Sequence, residues 1–272
     1  MTAPRFLAAI STPFAQDGSV ALGAFAEHVA WLAEAGLDGV FVAGTTGEGV
    51  LLEDDEIAAL TERAAGGQVR VIAQVGRPST RATAALARRA IDAGADAVAA
   101  YVPWFYPATE ADVRRHFEGL LEATGDTPAF LYNIPRRTVN DLSAGLAGEL
   151  AAAGFAGMKD STADFGRHEA YLDATRDRDF ELYVGAETLV LQACRAGAAG
   201  AITGLAGACP EPFARLRAAL EAGEDAAAKS AQDEIAAAKA AVESEGSTVA
   251  AVKRRVAEQV PGYPTATRAP FA

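Results

Sequence analysis

Cysteine, histidine and lysine are all scarce in this 272-residue chain, and each scarcity excludes something. Two cysteines, Cys194 and Cys209, are too few for a disulfide framework. Two small buried thiols in a reducing cytosol are the reading, with one bridge between them as the alternative. The three histidines, His28, His116 and His168, fall in separate helical segments without a carboxylate cluster, so neither a metal site nor catalysis is expected of them. No stretch of about 20 apolar residues escapes charge or glycine interruption, so no membrane span is expected. The opening Met1–Ile10 carries too short an apolar run for a signal peptide. Acid outweighs base: a net charge of −12 argues against nucleic acid or an anionic membrane surface as a partner. A soluble cytoplasmic protein is the expectation.

The lysine shortage is the most informative of these. Only four of the 24 basic side chains are lysines, at 159, 229, 239 and 253, so the first 228 residues hold a single one. Arginine replaces lysine wherever a surface cation suffices. It cannot do so where chemistry needs an amine, because guanidinium stays protonated.

What is present is a regular alternation. Short, uniformly apolar runs at Phe6–Thr12, Gly39–Ala43, Arg70–Val75, Ala97–Val102, Pro128–Tyr132, Gly157–Lys159, Glu181–Val184 and Gly200–Thr203 read as parallel strands covered on both faces. Ala-rich helical stretches separate them, among them Leu22–Ala35, Asp54–Ala65, Thr80–Ala93 and Glu110–Thr124, several led by acids and followed by glycine. Eight β-then-α units predict an α/β fold, a closed (β/α)8 TIM barrel over residues 1–222; a doubly wound open sheet is the alternative. Pro212–Ala222 suits the eighth barrel helix. Asp225–Ser244 and Ser247–Gln259 form a C-terminal helical extension over 223–272, packed on the barrel as one unit, with an extended tail from Pro261.

Catalytic groups of such barrels sit at the C-terminal ends of the strands. There the chain gathers Thr45, Thr46 and Gly47 within Gly44–Gly49, then Tyr132, Lys159, Glu187, Ile202 and Thr203. Lys159 ends the run Phe155-Ala156-Gly157-Met158, which places its stem inside an apolar barrel. Burying an amine disfavours its ammonium form, and a neutral amine attacks carbonyl carbon. The plain alternative is a lysine reaching outward to pair with Asp160 or another acid. The glycine-bracketed turn at 44–49 can cradle an anion on its backbone N–H groups, or be no more than a tight βα turn. It lacks the Gly-Lys-Ser/Thr of a P-loop and the spacing of a dinucleotide fingerprint, so paired threonines there fit a small carboxylate better. Tyr132, on the strand beside that of Lys159, offers a phenol to pass protons between substrate and Thr45; a buried tyrosine with a satisfied hydroxyl is the common alternative.

Together, Gly44-Thr45-Thr46-Gly47-Glu48, Tyr132-Asn133-Ile134-Pro135 and Gly157-Met158-Lys159-Asp160, in this order and spacing, resemble the dihydrodipicolinate synthase / N-acetylneuraminate lyase family from about Ala9 to Gly204. The resemblance implies that Lys159 condenses with the ketone of pyruvate or another 2-oxo acid. It implies that Thr45 and Thr46 bind the carboxylate with Gly47 beside them, that Tyr132 is the general acid/base acting through Thr45, and that the Ile202 carbonyl lines the pocket. An enamine then adds to an aldehyde, or forms when an aldol is cleaved. No metal or organic cofactor is implied, and a homotetramer built as a dimer of dimers is.

Within that family the features divide. Arg137 stands where the synthase holds its aldehyde's carboxylate. Phe105, however, occupies the position of the tyrosine that the synthase borrows from a dimer neighbour. The Thr–Tyr–Tyr relay therefore lacks a hydroxyl unless Tyr106 swings in. Val139 also replaces the usual glycine of the synthase. The stretch Val102–Pro107 and the ending Gly262-Tyr263-Pro264 resemble the 2-keto-3-deoxy sugar acid aldolases more closely, with Glu187 and Thr203 as candidates to bind sugar hydroxyls or as loop residues facing solvent. Three expectations follow: a keto-deoxy sugar acid aldolase, a 4-hydroxy-tetrahydrodipicolinate (dihydrodipicolinate) synthase, or a non-catalytic barrel that binds a 2-oxo acid.

Overall fold

A computed structural model of the chain describes residues 3–270. Eight parallel strands close into one barrel in chain order: β1 (Arg5–Ala9), β2 (Gly39–Val42), β3 (Arg70–Gln74), β4 (Ala97–Tyr101), β5 (Ala129–Asn133), β6 (Gly157–Asp160), β7 (Glu181–Val184) and β8 (Gly200–Thr203). The ring shuts where β8 pairs with β1, with Leu7 opposite Ile202. Helices α1 (Leu22–Glu34), α2 (Asp54–Ala65), α3 (Thr80–Asp92) and α4 (Glu110–Thr124) follow the first four strands. After β5 come a one-turn α5 (Pro135–Thr138) and α6 (Ala144–Ala153); α7 (Phe165–Ala174), α8 (Val190–Ala196) and α9 (Glu211–Ala222) follow the last three strands. The extension is α10 (Asp225–Ser244) and α11 (Thr248–Gln259). The open-sheet alternative is excluded by closure. The expected strand 1 is three residues too long, because the chain turns away before Pro13, which has no N–H to give a ladder.

Helix starts follow local chemistry. Glu53 and Glu56 close a capping box on α2, and Thr109 with Asp112 does the same on α4. Ser79, Ser143 and Asp164 each accept from an N–H of the first turn that follows.

Alternation along each strand sorts side chains into two cores. Phe6, Val40, Val98, Leu131 and Met158 point outward and pack under the helices. Leu7, Phe41, Ile72, Phe130, Tyr183 and Ile202 fill the barrel interior. Gly157 belongs to the inner layer: a Cβ there would sit 2.5 Å from the Phe130 ring and 2.4 Å from the Glu181 carbonyl. At the N-terminal mouth Glu181 pairs with Arg70 at 2.8 Å and with Arg5, which plugs that end. The C-terminal mouth is left for chemistry.

The extension helps to build that mouth. Gln232 on α10 pins the β7–α8 turn, accepting from Leu191 N at 2.8 Å and donating to the Glu187 carbonyl at 2.9 Å. Tyr263 of the tail donates to the Ser11 carbonyl at 2.9 Å. Cys194 and Cys209 are free thiols, half-buried where full burial is expected; burial pushes the Cys194 thiol up to about 12. Among the described residues no helix is long and apolar enough to cross a membrane.

Candidate active site

Strand alternation decides what Lys159 faces. Met158 and Asp160 point out of the barrel and Lys159 points in, 5% exposed. Asp160 is turned toward α7, where His168 Nε2 lies 3.0 Å away and Asn133 Nδ2 2.9 Å away, with Thr162 as a further donor. Burial alone would raise this carboxyl, but the donors from His168, Thr162 and Asn133 outweigh it and hold the group below the ordinary carboxylate range. The adjacent acid is thereby spent on the helix layer, and the outward-pairing alternative for Lys159 fails. Instead its Nζ donates to the Tyr132 hydroxyl at 3.3 Å and lies 4.8 Å from the Phe41 ring centre and 4.5 Å from that of Tyr132. Among the described residues Lys159 takes part in no ion pair with a carboxylate.

The cradle beside it is folded under constraint. Ala43 (φ 56°) and Glu48 (φ 55°) both adopt the left-handed conformation that costs a non-glycine residue about 1 kcal/mol or more. Gly49 is obligatory, since a Cβ would fall 1.7 Å from the Ala43 carbonyl oxygen. The turn is held from outside: the buried Glu48 carboxylate pairs with Lys253 of α11 and accepts from Arg268 N at 2.8 Å. Lys253 in turn donates to the Ala266 carbonyl at 2.7 Å and sits 4.4 Å from the Phe14 ring centre. Burial lowers the affinity of Lys253 for its proton, and Glu48 only partly offsets this. Held this way, the turn presents Thr45 Oγ1 at 3.2 Å from the Tyr132 hydroxyl. The Thr46 hydroxyl and the N–H groups of Thr46 and Gly47 enter no hydrogen bond among the described residues. Gly204 leaves room for Thr46: a Cβ there would lie 2.5 Å from its Oγ1.

An inner chamber of about 200 Å³ brings together Thr45, Thr46, Tyr132, Lys159, Glu187 and Ile202. Thr203 also lines it; its hydroxyl oxygen accepts from Ala206 N at 3.1 Å, which leaves its proton and one lone pair. Lys239 and Glu243 of α10, paired with each other, form the far wall. Burial holds the Glu187 carboxyl above the ordinary carboxylate range, with Lys239 and Lys159 pulling the other way. An outer chamber of about 480 Å³ adjoins through Thr45; Arg137, Thr138 and Trp104 wall it, with Ser247 and Thr248 at the start of α11.

Phe105 and Tyr106 stand apart from both chambers. They are 69% and 74% exposed and stack edge-on at 4.9 Å, so Tyr106 does not swing in. Phe105 (φ 78°) and Val139 (φ 67°) are left-handed, and Asn140 ties their loops together by donating to the carbonyls of Pro103 and Tyr106. The hydroxyl that sequence reasoning missed is Tyr101. It lies 3.3 Å from Thr45 Oγ1, and its ring stacks on that of Tyr132 at 4.6 Å. The signal was present: Ala97, Ala99 and Tyr101 are the inward positions of β4, whereas attention to the loop at 103–106 passes over them. His28 and His116 lie outside the chambers, and among the described residues no group of three or more His, Cys, Asp or Glu could hold a metal ion.

A barrel lyase acting on a carbon–carbon bond is what this fold and mouth define. The model of the dihydrodipicolinate synthetase family matches residues 3–272. The chain is 36% identical over 234 residues to the 4-hydroxy-tetrahydrodipicolinate synthase of Laribacter hongkongensis, covering 84% of this chain and 79% of that protein. Among solved structures, the KD(P)GA of T. tenax superposes with a TM-score of 0.89 at 32% identity, over 98% of this chain and 92% of that one. A variant of the 2-keto-3-deoxygluconate aldolase of Sulfolobus solfataricus gives 0.88 at 25% identity, over 98% and 89%. This chain belongs to the dihydrodipicolinate synthetase family, and it is a class I aldolase or lyase of that family.

Proposed function

We propose that the enzyme makes or cleaves the aldol bond of a 2-keto-3-deoxy sugar acid through a Schiff base between Lys159 and pyruvate. One observation carries this reading: an amine that among the described residues has no carboxylate partner, 3.3 Å from a phenol, shares its chamber with a threonine hydroxyl and backbone N–H groups that those residues leave unbonded. The pyruvate carboxylate sits on Thr46 and the N–H groups of Thr46 and Gly47, which presents the ketone carbon to Lys159. Tyr132 gives a proton to the departing hydroxyl and later takes one from the substrate. The iminium is the electron sink, so no metal or organic cofactor enters. Glu187 and Thr203 meet the hydroxyls of the aldehyde half, and the likeness to the 2-keto-3-deoxygluconate aldolase of known structure supports the choice.

The second reading, 4-hydroxy-tetrahydrodipicolinate synthase, is favoured by the names of the curated relatives and by Arg137, whose guanidinium has no partner among the described residues and faces the outer chamber, free for the aldehyde's carboxylate. Supplying pyruvate with glyceraldehyde, aspartate semialdehyde or N-acetylmannosamine in turn separates the two. Condensation with glyceraldehyde at least tenfold faster than with the others is expected, and preference for aspartate semialdehyde would overturn the first reading in favour of the second. The proposal includes a cytoplasmic homotetramer, supported by the exposed apolar Phe105, Tyr106 and Val139 and checked by light scattering.

A further inference from the structure

The hydroxyls at the mouth form a line. Lys159 Nζ is 3.3 Å from Tyr132, Tyr132 is 3.2 Å from Thr45, and Thr45 is 3.3 Å from Tyr101. The line also changes compartment. Tyr132 opens on the inner chamber, Tyr101 opens on the outer one, and Thr45 belongs to both. We infer that Tyr101 completes, within a single chain, the proton path from the Schiff-base chamber to the outer chamber, taking the place of a hydroxyl that Phe105 cannot supply.

The inference rests on the Schiff-base reading and deepens it. In the step concerned, the C3–H bond of the pyruvate iminium breaks, its electron pair becomes the enamine C=C, and the C=N pair returns to nitrogen. The proton goes to the Tyr132 oxygen, which passes its own to Thr45. Thr45 passes its own to Tyr101, and Tyr101 releases its proton to water in the outer chamber. One proton moves from carbon to water and no electrons are exchanged with the surroundings. Packing fixes the geometry: the stacked rings of Tyr101 and Tyr132 hold both hydroxyls on one threonine, and Gly76 admits the Tyr101 ring, since a Cβ there would lie 3.0 Å from it. Burial, reinforced by the neighbouring Tyr132, keeps the Tyr101 hydroxyl protonated well above neutral pH, so it serves as a conduit and not as a standing base. Tyr101 acts through Thr45 and is therefore a positioning residue.

The test is exchange of the pyruvate methyl protons in D2O, followed by NMR, alongside borohydride trapping of the imine. Tyr101→Phe keeps the ring and loses only the hydroxyl. Its exchange kcat should fall at least tenfold while KM for pyruvate and the trapped fraction stay within twofold of the unsubstituted enzyme. Thr45→Val with Tyr101→Phe should exchange no more slowly than Thr45→Val alone, because both interrupt one path. Adding Phe105→Tyr to Tyr101→Phe should not restore exchange. Normal exchange in Tyr101→Phe, or multiplicative losses in the double variant, would overturn the relay and leave the Schiff base standing. If the unsubstituted enzyme traps no imine, the functional reading itself falls, and the relay with it.

Discussion

Two lysines are buried at the same mouth, and they live opposite lives. Lys253, fully enclosed, is matched by the Glu48 carboxylate, the Ala266 carbonyl and the Phe14 ring. Lys159, nearly as enclosed, has among the described residues a phenol and two aromatic faces and no carboxylate in an ion pair. A buried cation with its counter-charge is a structural fastener, and removing one member leaves the other charged and unpaired at a cost of about 3–5 kcal/mol. A buried amine without one is poorly suited to hold structure and well suited to react. The fastener serves the reactive site, since the Lys253–Glu48 pair sets the turn that carries Thr45 and Thr46.

This contrast can be broken in graded steps. The largest effect is on turnover: Lys159→Met should cost about 10⁴-fold or more in aldol activity, the scale of losing a covalent nucleophile. Its melting temperature should barely move, because no charge is stranded. A large loss of stability would mean that Lys159 is a fastener after all. Next, Lys253→Met strands Glu48 and should lower unfolding stability by about 3–5 kcal/mol in urea. Adding Glu48→Gln should recover part of that; no recovery would show that the pair is not what holds the turn.

The smallest effect per group concerns two buried histidines that enter no ion pair among the described residues. Burial pushes His28 and His116 down to about 4, and the Gly207 carbonyl, 2.7 Å from His28 Nε2, only partly offsets this for His28. Their folded values lie below the unfolded ones, so the unfolded chain takes up protons first. Stability is complete above pH 6.5 and falls as pH drops toward 4, by about 3 kcal/mol per histidine. Urea titrations across that range should show the loss, and His116→Gln should remove one share of it.

The contrast also marks where sequence is readable. Lys159 stands out because a chain that uses arginine elsewhere keeps an amine at the end of an apolar run, although the run leaves open whether that amine points inward or outward until the strand's register is known. Thr45 and Thr46 are framed by glycines whose need is local. Tyr132 and the eight strands follow from short-range pattern. Lys253 gave no such signal: Glu48 lies 205 positions away, and nothing in either neighbourhood encodes the pairing. Tyr101 was hidden by the habit of seeking sites in loops, although strand periodicity carries it to the interior. Phe105 shows the converse, a loop position that draws attention and turns outward.

The sparing use of lysine makes the central claim easy to test. The protein is incubated with pyruvate, reduced with borohydride, digested and mapped by mass spectrometry over its four lysines. The account predicts one reduced pyruvyl adduct per chain, on Lys159, with Lys229, Lys239 and Lys253 unmodified. An intact enzyme that acquires no adduct, or carries it on another lysine, would contradict it.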